Sequence, residues 1–190
     1  MTPPRLPATS WAVLGILSFE AELSGYEIKR WADNILRFFY WSPAMSQVYS
    51  ELRRLSEVGY VSSRQLDGAR VYTITPSGRE ALAGWVRDSP VEAPVLKHGV
   101  ALRVWLGHLA DPESLRAIVA EHRDRAERLR AAAAHSAEAA AGRPGWNYAA
   151  LVARWSERYH AAERDLAEQM LTDLSDYPQG INPSGGGHDR

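Results

Sequence analysis

Ser46, Gln47, Ser50, Arg53 and Arg54 fall within nine consecutive positions. At about 100° per residue they share one side of a helical wheel. Glu57 joins them, Tyr49 sits at the boundary, and Met45, Val48, Leu52 and Leu55 form the opposite, apolar stripe. The order of residue types on the polar side suggests a chemistry. Small hydroxyl and amide side chains come first, so the start of the helix can approach a surface closely. Serine hydrogen-bonds either base type, and Gln47 can pair bidentately with adenine. Arg53 and Arg54, further along, suit phosphates, as does the Tyr49 hydroxyl. A helix facing only water would favour Glu-to-Lys pairs four residues apart, and none occurs here. The alternative is an ordinary solvated amphipathic helix.

The neighbouring elements decide between those readings. Ser42 is expected to cap this helix, Pro43 to take its first turn and Gly59 to stop it. Upstream, the nearly all-apolar 8–19 segment reads as a buried helix. Ser24 and Glu27 form a capping box for a second helix over 25–39, with Ile28, Trp31, Ile35 and Leu36 at helical spacing. Downstream, 60–66 and 69–75 are β-prone runs separated by Asp67-Gly68, a tight-turn signal. Thr75-Pro76 then opens another helix that stops before Pro90. Helix, helix, helix, hairpin, helix is the layout of a winged helix-turn-helix. Arg64 and Arg70 flank the hairpin tip, where a wing would touch nucleic-acid backbone; cross-strand solubility is the plainer role for them.

The second half is patterned differently. Residues 91–109 read as a connecting apolar helix, and Asp111-Pro112-Glu113 opens a long helix running to about Ala141. A turn at Gly142–Gly145 leads to another helix, from about Trp146 to Leu174. Leu115, Val119, His122, Ala126, Leu129 and Ala133 step by threes and fours, as do Tyr148, Val152, Trp155, Tyr159, Ala162 and Leu166. That is a coiled-coil-like seam on both arms of a helical hairpin. Arms of roughly 40 Å outrun a small domain, so a second copy of the chain is expected to cover the stripe. A hairpin packed only within its own chain is the other solution. The expected fold class is mainly α with a small β-hairpin wing. Residues 1–90 would form the winged helix, 91–175 a helical dimerisation region and 176–190 a disordered Gly/Pro/Ser-rich tail.

Composition narrows the function. The chain has 190 residues, 45% hydrophobic and 24% charged, close to globular averages. It has no cysteine, which excludes disulfides and thiolate metal sites and suits a reducing cytoplasm. No apolar run approaches a membrane span, and no signal-peptide pattern opens the chain. The net charge is −1, with 10 Lys/Arg against 9 Asp/Glu in residues 1–90 and 12 against 14 in 91–190. A case for nucleic-acid binding therefore rests on where charges sit. Catalytic patterns are absent: there is no Gly-rich phosphate loop and no Gly-x-Ser-x-Gly. Glu157-x-x-His160 has the spacing of a di-iron bundle ligand pair, but the second copy is missing because Val119 stands at that spacing before His122. His122 reads as a packed, hydrogen-bonded histidine. No metal, cofactor or catalytic residue is expected.

The run SQVYSELRRLSEVGYVSSRQLDGARVYTITPSGREAL resembles the PadR-like transcriptional regulators. The similar positions are Tyr49, Leu52 and Leu55, the helix-ending Gly59-Tyr60-Val61, the turn at Gly68 and the stretch from Tyr72 to Arg79. Gly25-Tyr26-Glu27-Ile28 is similar to the family's usual opening of the preceding helix. The resemblance covers most of residues 8–174 and is specific over 42–85. It implies a homodimeric bacterial regulator, usually a repressor, bound to an inverted-repeat operator in double-stranded DNA. Many relatives release DNA when an aromatic or drug-like small molecule binds near the dimer interface. The implied DNA contacts are Tyr26, Lys29, Ser46, Gln47, Tyr49, Arg53 and Arg70. Relatives often carry more Lys and Arg here, which implies modest or strongly salt-sensitive affinity. The seven tryptophans suggest an aromatic effector pocket lined by Trp105, Trp155 and Tyr159, with ordinary core packing as the alternative. A winged-helix docking scaffold without specific DNA binding is the rival function.

Overall fold

The computed structural model describes residues 6–19, 22–40, 42–91 and 93–176. The chain divides into two compact units at Ala93–Pro94.

In the first unit, α1 (Ala8–Ile16) buries Trp11, Val13, Leu14 and Ile16. It stops earlier than the apolar run, since the Ser18 hydroxyl donates to the Gly15 carbonyl at 2.6 Å and Leu17–Phe19 form a turn. α2 (Gly25–Asn34) opens on the expected capping box: the Glu27 amide donates to Ser24 Oγ, and Glu27 Oε2 accepts from the Ser24 amide at 2.8 Å. It ends at Asn34, short of the expected Phe39, and a 3-10 turn over Leu36–Phe38 follows.

α3 (Met45–Glu57) starts later than the sequence suggests. Ser42 does not cap it, and Pro43 is not its first residue. The Ser42 hydroxyl donates to Asp33 Oδ1 at 2.7 Å, and Pro43 is buried. The cap is Ala44, which has no side-chain acceptor; Gln47 Oε1 instead reaches back to accept from the Ala44 amide at 2.9 Å. That is half of a capping box, with the backbone supplying the rest.

The expected hairpin is β2 (Val61–Leu66) with β3 (Ala69–Ile74). Asp67 and Gly68 have φ of 49° and 82°, the positive pair that a two-residue type I′ turn requires. A third strand, β1 (Leu23–Ser24), pairs antiparallel with β3 and makes the sheet order β1-β3-β2. α4 (Pro76–Asp88) is capped by Thr75, whose Oγ1 accepts from the Gly78 amide at 3.0 Å. Gly78 is needed for space: a Cβ there would stand 2.3 Å from the Tyr60 carbonyl oxygen. Trp85 on α4 stacks on Trp11 at 5.6 Å between ring centroids. The core of this unit gathers α1, α2, α3 and the sheet around Leu14, Leu17, Ile28, Val48, Leu52 and Leu55.

In the second unit, the connecting helix is shorter than expected. α5 spans Gly99–Trp105, and a 3-10 turn covers Gly107–Leu109. It buries none of its residues, so no apolar face drives it further back, and His98 caps it by accepting from the Ala101 amide at Nδ1, 3.0 Å away. α6 (Pro112–Ala140) is capped by Asp111. α7 (Asn147–Asp176) returns antiparallel after a turn in which Gly142 and Gly145 have φ of 75° and 80°. Each arm is about 45 Å long. Arg116 donates to the Leu174 carbonyl, and Arg123–Glu168, Arg164–Glu127 and Arg130–Glu157 pair across the hairpin. No helix among the described residues is long and apolar enough to cross a membrane. The tail expected to be disordered lies outside the described residues, apart from Asp176 at the end of α7.

The hairpin interior holds mostly small residues. Ala126, Ala133, Ala137 and Ala140 of α6 and Ala150, Ala153, Ser156 and Ala167 of α7 are buried, letting the two backbones approach closely. Leu115 and Val119, expected on a dimer seam, are buried within this unit, at 6% and 0% exposure. Five large apolar residues of α7, Tyr148, Leu151, Trp155, Tyr159 and Leu166, are exposed.

Candidate nucleic-acid interface

Val48, Leu52 and Leu55, all at 0% exposure, lock one face of α3 onto the core. Glu51, also buried, extends that lock to α1, where Ser10 and Thr9 donate to its two carboxylate oxygens. A buried carboxylate is tolerated because it is hydrogen-bonded, and Arg54 Nε stands 3.4 Å from the same group. With the inner face fixed, Ser46, Gln47, Tyr49, Arg53 and Arg54 are exposed and Ser50 is half-buried. Arg54 divides its charge with Glu51, whereas Arg53 makes no ion pair among the described residues.

α2 contributes Tyr26, two-thirds exposed, and Lys29. Lys29 pairs with Asp33, and this bond, helped by the Ser42 hydroxyl, holds the Asp33 carboxyl below its usual range. The start of α2 packs tightly on α3: a Cβ on Gly25 would stand 2.7 Å from Tyr49 Cε1.

On the wing, the two arginines differ. Arg64 donates through Nε and Nη2 to Glu22, at 2.7 and 2.6 Å. That fork lowers the Glu22 pKa and raises that of Arg64, in both cases chiefly through the hydrogen bonds. Arg70 is exposed and has no ion pair among the described residues. No local pattern in the sequence marks Glu22 or Glu51. Their partners lie 42 and 41 positions away, beyond any local signal.

In the second unit, a cavity of about 480 Å³ is lined by Tyr159, His98, His122, His160, Glu163 and Leu129, among others. Of the aromatic residues proposed for an effector pocket, Tyr159 lines it. Trp105 and Trp155 do not: Trp105 is 76% exposed, and Trp155 stacks on Tyr159 at 5.5 Å from outside. Val152 is half-buried. His122 is hydrogen-bonded, as expected, to Glu163. Trp41 lies outside the described residues.

A three-helix core, an exposed third helix and an adjacent two-stranded wing define a winged helix-turn-helix protein. Residues 13–84 match the Transcriptional regulator PadR-like family. The negative transcriptional regulator PadR of Bacillus subtilis (strain 168) is 36% identical over 91 residues, covering 45% of this chain and 49% of that protein. The alignment thus spans about half the length of this curated relative. Among solved structures, Bacillus subtilis PadR in complex with operator DNA superposes with a TM-score of 0.73 at 22% identity, covering 88% of this chain and 99% of that one. The PadR-like regulator BC1756 of Bacillus cereus gives 0.71 at 23%, over 88% and 98%. The Vibrio cholerae virulence activator AphA gives 0.67 at 25%, over 88% and 98%. The same Bacillus subtilis PadR is also known in complex with p-coumaric acid.

Proposed function

We propose that the chain is a homodimeric, sequence-specific DNA-binding transcriptional regulator, a repressor acting in the cytoplasm rather than an enzyme. Residues 1–90 would be its DNA-binding domain and 91–175 its dimerisation domain. The observation that carries the reading is the outward face of α3: small and amide residues at its start, Arg53 farther along, and Arg70 on the wing beside it. An inverted-repeat operator follows if two copies bind with their recognition helices about one DNA turn, or a multiple, apart. The dimer reading is supported by Tyr148, Leu151, Trp155, Tyr159 and Leu166, a stripe of large apolar side chains left exposed along α7. The repressing sign follows the negative regulator it resembles. An aromatic or drug-like effector, by analogy with the p-coumaric acid complex, would weaken operator binding by changing the spacing of the two recognition helices.

The test is selection from random DNA fragments at two salt concentrations. The proposal expects an enriched inverted repeat whose recovery falls steeply with salt. Retention of no sequence at low salt would favour the docking scaffold instead.

A further inference from the structure

His98, His122 and Glu163 belong to three different elements of the second unit: the cap of α5, the middle of α6 and the middle of α7. Glu163 Oε2 lies 3.1 Å from His98 Nε2 and 3.2 Å from His122 Nε2. The two rings meet edge to face at 4.9 Å, and one donor atom from each residue lies within 4.8 Å of the others. All three side chains are largely buried, at 17–23% exposure, and they open onto the cavity of about 480 Å³.

We propose that this cluster is a binding site for a divalent transition-metal ion of the zinc class, held by His98 Nε2, His122 Nε2 and a Glu163 carboxylate oxygen. Two imidazoles and a carboxylate form a donor set that zinc takes with its fourth position open. Bonds of about 2.0–2.2 Å in a tetrahedron separate neighbouring donors by about 3.3–3.6 Å. The two nitrogen–oxygen separations here need to widen by only a few tenths of an ångström. The cavity supplies room for the fourth ligand. Lys97, Arg103 and Arg125 also line it, so an anionic donor suits that position.

The cap of α5 gives the site a consequence. His98 Nδ1 accepts from the Ala101 amide, so its proton sits on Nε2 and is donated to Glu163. An ion on Nε2 requires that lone pair, which moves the ring proton to Nδ1 with no net loss of a proton. A protonated Nδ1 cannot accept from Ala101. Ion binding and the α5 cap therefore exclude each other, and loading the site loosens the first turn of α5. No metal is expected from the sequence, because three residues 24 and 41 positions apart carry no ligand-spacing motif.

The full chain, stripped with chelator, is titrated with Zn²⁺ by calorimetry and with Co²⁺ by visible absorption. The expected result is one ion per chain. Affinity should weaken by about tenfold or more in His122→Ala, Glu163→Gln and His98→Asn, and stay unchanged in His135→Ala. Glu163→Gln keeps a hydrogen-bond acceptor and His98→Asn keeps a helix cap, so both should fold, with circular dichroism as the check. Exchange of the Ala101 amide should accelerate on loading the wild type. No saturable uptake by the folded chain would overturn the site, as would uptake undiminished in these variants. An Ala101 amide unmoved by a bound ion would overturn ligation by His98.

Discussion

Tyr49 of α3 lies over the backbone of Gly25, the first residue of α2, so closely that a Cβ on Gly25 would stand 2.7 Å from the ring. The glycine thereby sets both the approach of the two helices and the direction of a side chain proposed to meet DNA.

Gly25→Ala should displace the Tyr49 ring rather than unfold the unit, because that side chain is half exposed and can swing out. Affinity for operator DNA should fall by roughly fivefold, the equivalent of about one lost hydrogen bond at 1 kcal/mol. Fluorescence anisotropy with labelled operator and a thermal melt check the two halves of this expectation: weaker binding, nearly unchanged stability.

Glu22 holds Arg64 in a two-pronged ion pair and so keeps that guanidinium away from a phosphate. Glu22→Ala should strengthen DNA association and steepen its salt dependence by about one unit of log–log slope per subunit, the signature of one added phosphate contact. An unchanged slope would mean that the wing arginine does not reach DNA.

Glu127 pairs with Arg130 on its own helix and with Arg164 across the hairpin, and their hydrogen bonds bring its pKa from 4.5 down to about 2. A carboxylate lowered on folding adds stability above its unfolded value and loses it as pH falls through the folded one. The contribution should be complete above pH 5 and fade between pH 4.5 and 2. Thermal melts across that window check it: Glu127→Gln should melt below wild type at neutral pH, with the gap closing by pH 2.

Trp155 and Tyr148 stand exposed on the outer stripe of α7. Replacing both with Glu should dissociate the proposed dimer, since central aromatic residues carry about 2 kcal/mol or more at interfaces. Sedimentation should show a folded monomer. A dimer of unchanged affinity would place the interface elsewhere.

These relationships were unevenly legible. Elements fixed by neighbours in sequence were readable: the Ser24–Glu27 box, the Asp67-Gly68 turn, Thr75 before α4 and Asp111 before α6. The start of α3 was not, because Ser42 finds a better partner in Asp33 and Gln47 serves as the cap acceptor. β1 has two residues and exists only because β3 offers it an edge. On α7, two adjacent stripes have the same period. Weighting large apolar residues selects Tyr148, Trp155 and Tyr159, yet alanines pack the interior because two long helices approach most closely over small side chains. The α3 face was visible from its spacing. The ion pairs that occupy Arg54 on α3, Lys29 on α2 and Arg64 on the wing were not, since they depend on tertiary placement or a chosen rotamer.

On the proposed reading, α3 reads base edges while Arg53 holds the DNA backbone. The direct measurement is the ratio of specific to non-specific affinity for wild type, Gln47→Ala and Arg53→Ala, on the selected operator and on a scrambled duplex at two salt concentrations. Gln47→Ala, which also gives up the cap bond to the Ala44 amide, should lose about 1–3 kcal/mol of discrimination between the two duplexes beyond any weakening common to both. Arg53→Ala should weaken both duplexes alike and flatten the salt slope by about one unit per subunit. Equal affinity of the wild type for operator and scrambled DNA, or an unchanged ratio in Gln47→Ala, would contradict groove reading by α3.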